Sequence, residues 1–314
     1  EYRLAWALGN DEFCYDYLKN QIPQDVEDWV IYAYCCAKLG HDAAYTEAKT
    51  ALVSFELQPN QATLLVLADC LIKQDYQTAL NHIDSYIEDD VSYAVQDIKI
   101  ELVGYQLCMR TGEFTKARDY LVAYEKHTEG DPQCELAIAH LAFAQSNFQE
   151  SVDKYKPLLY QFNCLISNQC HVAYLDALVA LKKWDDIASY IENPSLHTNI
   201  DLSRYKIYYL FHEKKWHEVI DVFENAQPTI QNDHYFEYVS ALLRVAKWDD
   251  AKQKYREPNN SDSYEYWSLI YFLGKITNDL ELQEHCLLGK IATCPETDME
   301  ANFTKLELLR TNKN

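Results

Sequence analysis

The sequence repeats one tripeptide three times, as Lys183-Trp184-Asp185, Lys215-Trp216-His217 and Lys247-Trp248-Asp249. Successive tryptophans are 32 residues apart, and each tripeptide lies between two amphipathic stretches. Similarity at a fixed period of this size is typical of stacked supersecondary units, in which each unit contacts its neighbours along the chain. The spacing therefore predicts a repeat architecture rather than a single globular core.

Other residues fill the tryptophan position in the rest of the chain. The expected occupants are Phe13, Tyr45, Tyr76, Phe114, Phe148 and, after the tryptophans, Leu280. A small or branched residue generally follows three positions later, as Ala48 follows Tyr45, although Asp16 follows Phe13. Because residues three apart share a face of a helix, the pattern predicts a helix that begins at the aromatic residue and packs closely on the preceding helix.

The stretch before each aromatic position also has helical periodicity. Apolar residues recur at intervals of three and four, whereas a strand would show strict alternation. The first clear example comprises Trp29, Tyr32, Ala33 and Cys36, and Gly40 follows in the turn. Prolines at 59, 132 and 228 lie where one unit gives way to the next, and proline starts a helix well but cannot continue one. The chain is therefore predicted to be all-α.

A helix–turn–helix unit of about 34 residues, with an aromatic residue at the turn and a small residue after it, resembles the tetratricopeptide repeat (TPR). The resemblance is clearest in residues 28–60 and 132–258. It implies a right-handed α-solenoid of about nine TPR-like units, with residues 1–314 forming a single domain. The expected parts are a partial first unit (1–27), repeats (28–292) and a capping helix (293–314), in which Phe303, Leu306 and Leu309 cover the last unit.

Composition argues against several classes of function. Only 7 of the 314 residues are glycine, and no glycine-rich phosphate-binding motif is present. No apolar run reaches the length of a membrane span, and no signal peptide opens the chain. We therefore expect no nucleotide cofactor and no membrane insertion.

The ten cysteines lack the C-x-x-C spacing of zinc sites. Cys164 and Cys170 are close enough in sequence to form a disulfide, but burial of cysteines as small apolar side chains is favoured. Unpaired cysteines are typical of a reducing compartment, so we expect a cytoplasmic protein without a bound metal.

The charge distribution favours some partners over others. Asp and Glu number 49 against 28 Lys and Arg, a net charge of −21. A nucleic-acid-binding protein would show a basic stripe, and none is present. The segment 84–97 contains five acidic residues and no basic one, which would attract a basic partner or simply maintain solubility. Asp185-Asp186 and Asp249-Asp250 lie at helix starts, where carboxylates complement the helix dipole, so we do not expect an enzyme.

In the TPR family the first helices of successive units line a concave groove. By position, the resemblance implies the following groove residues: His140, Asp176, Arg204, Tyr205, Tyr208, Phe236, Glu237, Ser240 and Arg244, with Leu136, Val172, Ala173, Ser268 and Phe272 beside them. Their mixture of aromatic and charged side chains suits a protein segment, and the net charge indicates a basic one.

Three functions are compatible with these patterns. The leading hypothesis is a non-enzymatic scaffold or adaptor that binds a partner segment in its groove and can belong to a multiprotein complex. The alternative is a regulatory sensor domain of a larger protein that responds to a peptide or a small ligand. An all-helical toroid enzyme would need convergent carboxylates, for which Asp176, Asp201 and Asp233 are the nearest candidates.

Overall fold

The computed structural model describes residues 2–88, 100–126, 128, 130–162, 165–196, 200–255 and 263–313. Every regular element in these ranges is a helix, which confirms the all-α prediction. The chain divides into two compact units where the sequence predicts one domain. The first unit comprises residues 1–183 and 192–200, and the second comprises 184–191 and 201–314.

Both units are successions of short helices joined by tight turns. The first unit contains α1 Tyr2–Ala7, α2 Asp11–Gln21, α3 Val26–Leu39, α4 Asp42–Leu52, α5 Pro59–Lys73, α6 Tyr76–Glu88, α7 Ile100–Thr111, α8 Phe114–Glu125, α9 Pro132–Ala144, α10 Phe148–Phe162 and α11 Asn168–Ala180, with a short 3₁₀ turn at Pro194–Leu196. The second contains α12 Trp184–Ile191, α13 Ser203–His212, α14 Trp216–Asn225, α15 Pro228–Asp233, α16 Tyr235–Arg244, α17 Trp248–Lys254, α18 Tyr264–Ile276, α19 Leu280–Thr293 and α20 Glu296–Lys313.

One turn geometry recurs between paired helices. At Ala246 the backbone adopts a left-handed conformation with φ of 61°, and its N–H bonds to the Leu243 carbonyl at 3.3 Å. The N–H of Lys247 bonds to the Leu242 carbonyl at 2.9 Å. These two bonds are those of a Schellman motif, which satisfies carbonyls at the end of a helix. Among the described residues the left-handed position is occupied at nine turns by Gly9, Gly40, Gln74, Gly112, Ser146, Lys182, Lys214, Ala246 and Asn278.

The position of the turn shows that the predicted helix starts in the first two helix pairs are out of register. A second helix begins two residues after the left-handed residue, and the predicted starts from Tyr76 to Leu280 follow this rule. By the same rule, the second helices of the first two pairs begin at Asp11 and Asp42. The sequence pattern predicted these starts downstream, at Phe13 and Tyr45. The prediction relied on the aromatic residue, whereas the turn determines where the helix begins and an aspartate complements the dipole there.

Close packing between paired helices occurs three residues after each second-helix start. Small and branched side chains at this position are fully buried: Cys14, Ala79, Ala117, Ser151, Ile187, Val219 and Ala251. In the corrected register Cys14 occupies this position in the first pair, so the apparent exception at Asp16 disappears. Tyr45, which the sequence assigns to the helix start, occupies the packing position in the second pair and is buried.

Carboxylates bonded by both a tyrosine and a lysine link neighbouring helices. Tyr45 Oη and Lys49 Nζ on α4 donate to Asp69 on α5 at 2.8 and 2.6 Å. Although partial burial opposes ionisation, the hydrogen bonds from Lys49 and Tyr45 hold the pKa of Asp69 below its ordinary value. The same arrangement recurs at Asp84 with Lys116 and Tyr120, and at Glu224 with Lys254 and Tyr238.

The three repeated tryptophans do not all lie at the junction within their own helix pair. Trp184 stacks on His212 of the next first helix, with ring centroids 5.0 Å apart. Trp216 lies beneath the Arg244 guanidinium of the next first helix, 6.0 Å from the ring centroid. Trp248 is 47% exposed and does not fill a buried junction between helices.

Helix α20 packs against α19 with a different face from the one predicted. Leu306 is buried, as expected, whereas Phe303 is 48% exposed and the neighbouring Asn302 is buried instead. Positions 303, 306 and 309 are spaced by three, so their side chains rotate progressively around the helix. Positions 302, 306 and 309 are spaced by four and then three, which keeps them on one face. Arg310 bonds Glu284 of α19 at 2.7 Å along the edge of this contact.

The recurring turn predicts opposite effects for two substitutions. Replacing Ala246 by glycine should raise the free energy of unfolding by about 0.5–1 kcal/mol, because glycine adopts positive φ without steric cost. Replacing Gly40 by alanine should lower it by a similar amount, since a Cβ there meets no atom within 4 Å and only the backbone conformation opposes it. Urea unfolding followed by far-ultraviolet circular dichroism measures both. Ala301→Gly, at an exposed position inside α20, is the control and should destabilise; stabilisation by both glycines would contradict the role of the turn.

Helix α19 approaches Trp267 of α18 so closely that only glycine fits at 289. A Cβ on Gly289 would lie 2.3 Å from the indole ring of Trp267. Gly289→Ala should therefore lower the free energy of unfolding by about 1–3 kcal/mol, the usual cost of overpacking. The exposed neighbour Leu288 supplies the control, since Leu288→Ala should remain within about 0.5 kcal/mol of the wild type. Equal thermal unfolding curves for wild type and Gly289→Ala would show that the helix contact can relax.

Candidate functional site

The first unit contains a cavity of about 490 Å³. Its wall is built from the first helices α3, α7, α9 and α11 together with the turn between α1 and α2. The lining residues are Leu8, Gly9, Asn10, Asp11, Glu12, Lys38, Leu39, Leu102, Tyr105, Gln106, Met109, Arg110, Gln133, Leu136, Ala137, His140, Phe143, Ala144, Ser167, Gln169 and Cys170. This volume falls in the range of small-ligand sites, roughly 300–1,000 Å³.

Two successive first helices, α7 and α9, contribute residues from equivalent positions to this wall. Gln106 and His140 each lie six residues before the left-handed residue of their turn, and Met109 and Phe143 each lie three before it. The structure places His140 in the lining of this cavity. Asp176, six residues before the turn at Lys182, is half-buried in α11 and is not part of the lining.

The first helix pair closes one side of the cavity. Asn10 Nδ2 donates to the Leu165 carbonyl at 2.9 Å, a contact between residues 155 positions apart in sequence. The Asp11 carboxylate forms an ion pair with Lys38, and Lys38 Nζ also donates to Gln106 Oε1 at 2.6 Å. These bonds hold the α1–α2 turn against the wall, so the turn forms one side of the cavity.

Two charged groups of the lining have no ionic partner among the described residues. Arg110 makes one long hydrogen bond, from Nη2 to the Lys38 carbonyl at 3.5 Å, and no carboxylate lies within ion-pair distance of it in the described part of the chain. Glu12 lines the same cavity and has no cationic side chain paired with it in those ranges. The cavity therefore presents one positive and one negative group that do not neutralise each other.

A histidine and a cysteine meet at the back of the cavity. His140 Nε2 lies 3.4 Å from Cys170 Sγ, and Ser167 Oγ lies 3.3 Å from the same sulfur. Burial, aided by the positive charge of Lys38, lowers the pKa of His140 to about 4. Burial raises the pKa of Cys170 to about 11. At neutral pH the imidazole is uncharged and the thiol is protonated, which is the opposite of an activated cysteine–histidine pair.

The second unit brings together several predicted site residues around His234, a residue that the sequence patterns did not single out. The rings of Tyr208 and His234 meet edge to face at 4.7 Å. His234 Nδ1 lies 3.5 Å from Glu237 Oε2, and the histidine is only 1% exposed. The spacing of three between His234 and Glu237, at the start of α16, is the signal that could have identified this pair.

Two predicted groove residues are packed inside the second unit. Tyr205 is 2% exposed, its ring lies 5.1 Å from the Arg204 guanidinium carbon, and Ser240 is also buried. Tyr205 is one position from Arg204, which turns its side chain by about 100° around the helix and towards the core. Neither Tyr205 nor Ser240 offers surface to a partner, so their assignment to the groove is corrected.

The remaining predicted residues of the second unit keep some accessible surface. Phe236 is half-buried with its ring 6.2 Å from Phe211, and Glu237 is half-buried beside His234. Arg244 is exposed above Trp216. Phe211 also contacts Trp216, with ring centroids 5.4 Å apart, so Phe236 and Arg244 are linked through these two rings.

The described residues can also be compared with the predictions on metal binding, membrane helices, Cys164 and the acidic segment 84–97. Within the described ranges, no three His, Cys, Asp or Glu side chains are placed to hold a metal ion. No helix in the described part of the chain is long and apolar enough to cross a membrane. Cys164 and residues 89–97 of the acidic segment lie outside the described residues. Asp84, at the start of that segment, is bonded to Lys116 at 2.9 Å.

The lowered pKa of His140 predicts a specific acid sensitivity. Between pH 6.5 and about 4 the unfolded chain binds a proton on this histidine that the folded chain does not. The free energy of unfolding should therefore fall as the pH is lowered through this window, and it should be unaffected by this group above it. His140→Gln should reduce the difference in urea midpoint between pH 7 and pH 4.5, whereas His217→Gln, at an exposed position, should not. An unchanged difference in His140→Gln would contradict burial of the imidazole.

The chain matches no protein-family model, and no curated protein matches it. The resemblance to the TPR therefore depends on the residues themselves: the period of 32, the aromatic helix starts and the buried small residue three positions later. Function must accordingly be inferred from the cavity of the first unit and the exposed side chains.

Proposed function

We propose that this chain is a non-enzymatic protein-binding scaffold with a TPR-like architecture. In this proposal about nine helix pairs form a right-handed α-solenoid, α20 caps it, and the first helices hold a segment of a partner protein. The observation that carries the proposal is that Gln106 and His140 occupy equivalent positions on α7 and α9 and both line the cavity. Equivalent positions that face one side of successive units are how repeat proteins build extended binding surfaces.

An exposed aromatic residue supports the same proposal in the second unit. Phe272 on α18 lies six residues before the turn at Asn278, the position that Gln106 and His140 occupy in the first unit. Its side chain is 53% exposed. An aromatic side chain left open to water on such a face is a candidate anchor for a partner, because buried aromatic anchors often dominate binding energy.

The net charge of −21 indicates the chemistry of the partner segment. A basic segment would be attracted to this surface, and its association would slow and weaken as salt screens the charges. We accordingly propose a cytoplasmic adaptor that assembles with a protein carrying a basic segment, within a larger complex.

The scaffold proposal predicts that Phe272 contributes to partner binding without contributing to stability. Phe272→Ala should reduce capture of the native partner by at least about tenfold, as expected when an interface anchor worth more than about 1.4 kcal/mol is removed. The measurement is quantitative affinity capture from the native host followed by mass spectrometry, with melting temperatures recorded in parallel. Phe303→Ala is the matched control, since Phe303 has similar exposure but lies on α20. Equal loss of capture in both variants would place the binding surface elsewhere.

A second candidate function is a regulatory sensor domain that responds to a small ligand or peptide. The specific observation in its favour is the cavity of the first unit, beside which the Asn10–Leu165 bond holds the α1–α2 turn. Isothermal titration with small ligands separates the two candidates, because a pure scaffold would bind none of them in this cavity.

A further inference from the structure

We infer that the cavity of the first unit binds a small zwitterion with an apolar side chain, namely an α-amino acid or a dipeptide. The ligand carboxylate would pair with Arg110 and its ammonium group with Glu12. This inference rests on the ligand-binding candidate function and is independent of the scaffold proposal. It follows from three properties of the lining: an unpaired cation, an unpaired anion and an apolar wall.

Arg110 is suited to hold the carboxylate. Its guanidinium is exposed at the end of α7 and donates only to the Lys38 carbonyl among the described residues, so most of its N–H groups are available. Guanidinium groups bind carboxylates through two parallel hydrogen bonds. The other cation of the lining, Lys38, already bonds Asp11 and Gln106 and is less available for a ligand.

Glu12 is suited to hold the ammonium group. The adjacent acidic residue, Asp11, is neutralised by Lys38, whereas Glu12 has no cationic partner in the described part of the chain. Arg110 and Glu12 line the same cavity yet lie beyond ion-pair distance of each other. A ligand that carries both charges would satisfy both side chains, whereas a simple anion or cation would satisfy one.

Apolar side chains complete the site and limit the size of the ligand. Leu102, Met109, Leu136 and Phe143 supply contact surface for an aliphatic or aromatic side chain. The volume of about 490 Å³ lies in the lower half of the range for small-ligand sites. An amino acid or a dipeptide therefore fits the cavity better than a long peptide.

The test begins with isothermal titration of the full chain with L-leucine, L-phenylalanine and the dipeptide Leu-Phe. At least one should bind with a dissociation constant below roughly 1 mM, equivalent to about −4 kcal/mol. The tightest ligand is then compared with its N-acetyl form and its carboxamide form. Each blocked form should bind at least about tenfold more weakly, because each loses one of the two ionic contacts. Binding by the amino acids alone, or by the dipeptide alone, would support the inference and identify which zwitterion the cavity takes.

Two variants assign the contacts. Arg110→Gln should weaken binding of the zwitterion at least about tenfold and leave binding of the carboxamide form unchanged. Glu12→Gln should also weaken binding of the zwitterion at least about tenfold, and it should leave binding of the N-acetyl form unchanged. The matched controls are Arg118→Gln and Glu47→Gln, which replace exposed charges away from the lining.

Absence of binding by all three zwitterions, equal binding of the blocked forms, or unchanged affinity in both cavity variants would overturn the inference. The scaffold proposal would be unaffected by these outcomes, because it is tested separately by capture with Phe272→Ala.

Discussion

The rest of the structure depends on one backbone hydrogen bond in each turn. Its donor is the N–H of the residue after the left-handed position, and its acceptor is the carbonyl five residues earlier. At Lys247 this bond to the Leu242 carbonyl measures 2.9 Å, and equivalent bonds of 2.8–2.9 Å occur at the other described turns. It ends the first helix and sets the start of the second two residues beyond the left-handed residue. Once that start is set, the residue three positions later faces the partner helix and must be small or well fitted.

Much of the fold follows from residue periodicity because each helix pair is a local structure. The period of 32 and the aromatic starts at Trp184, Trp216 and Trp248 identify the later pairs correctly. The predicted starts of the first two pairs are out of register by one turn or less, because aspartate, not an aromatic residue, occupies the helix start. Residue type predicts the position of an exposed helix start poorly, because many side chains are compatible with the helix dipole and with solvent there. The hydrogen bonds of the turn, in contrast, require one backbone geometry.

The cavity lining was predictable only in part, because the position of a residue along a helix does not alone determine which neighbours its side chain meets. Position relative to the turn places His140 on the cavity, because the turn orients the whole first helix. The same rule cannot separate neighbours such as Arg204 and Tyr205, because adjacent residues lie about 100° apart around a helix and Tyr205 is buried. The contributions of Asn10, Asp11 and Glu12 could not be predicted from the sequence, since a contact across 155 residues leaves no periodic signal.

The Asn10–Leu165 bond also has a consequence for the order in which the chain acquires structure. Most contacts in a repeat protein join adjacent units, so they can form as each unit leaves the ribosome. This bond cannot form until residue 165 has been synthesised, and closing so long a loop carries an entropic cost that local pairing does not. The Asn10–Leu165 contact is therefore completed later than the helix pairs that it joins.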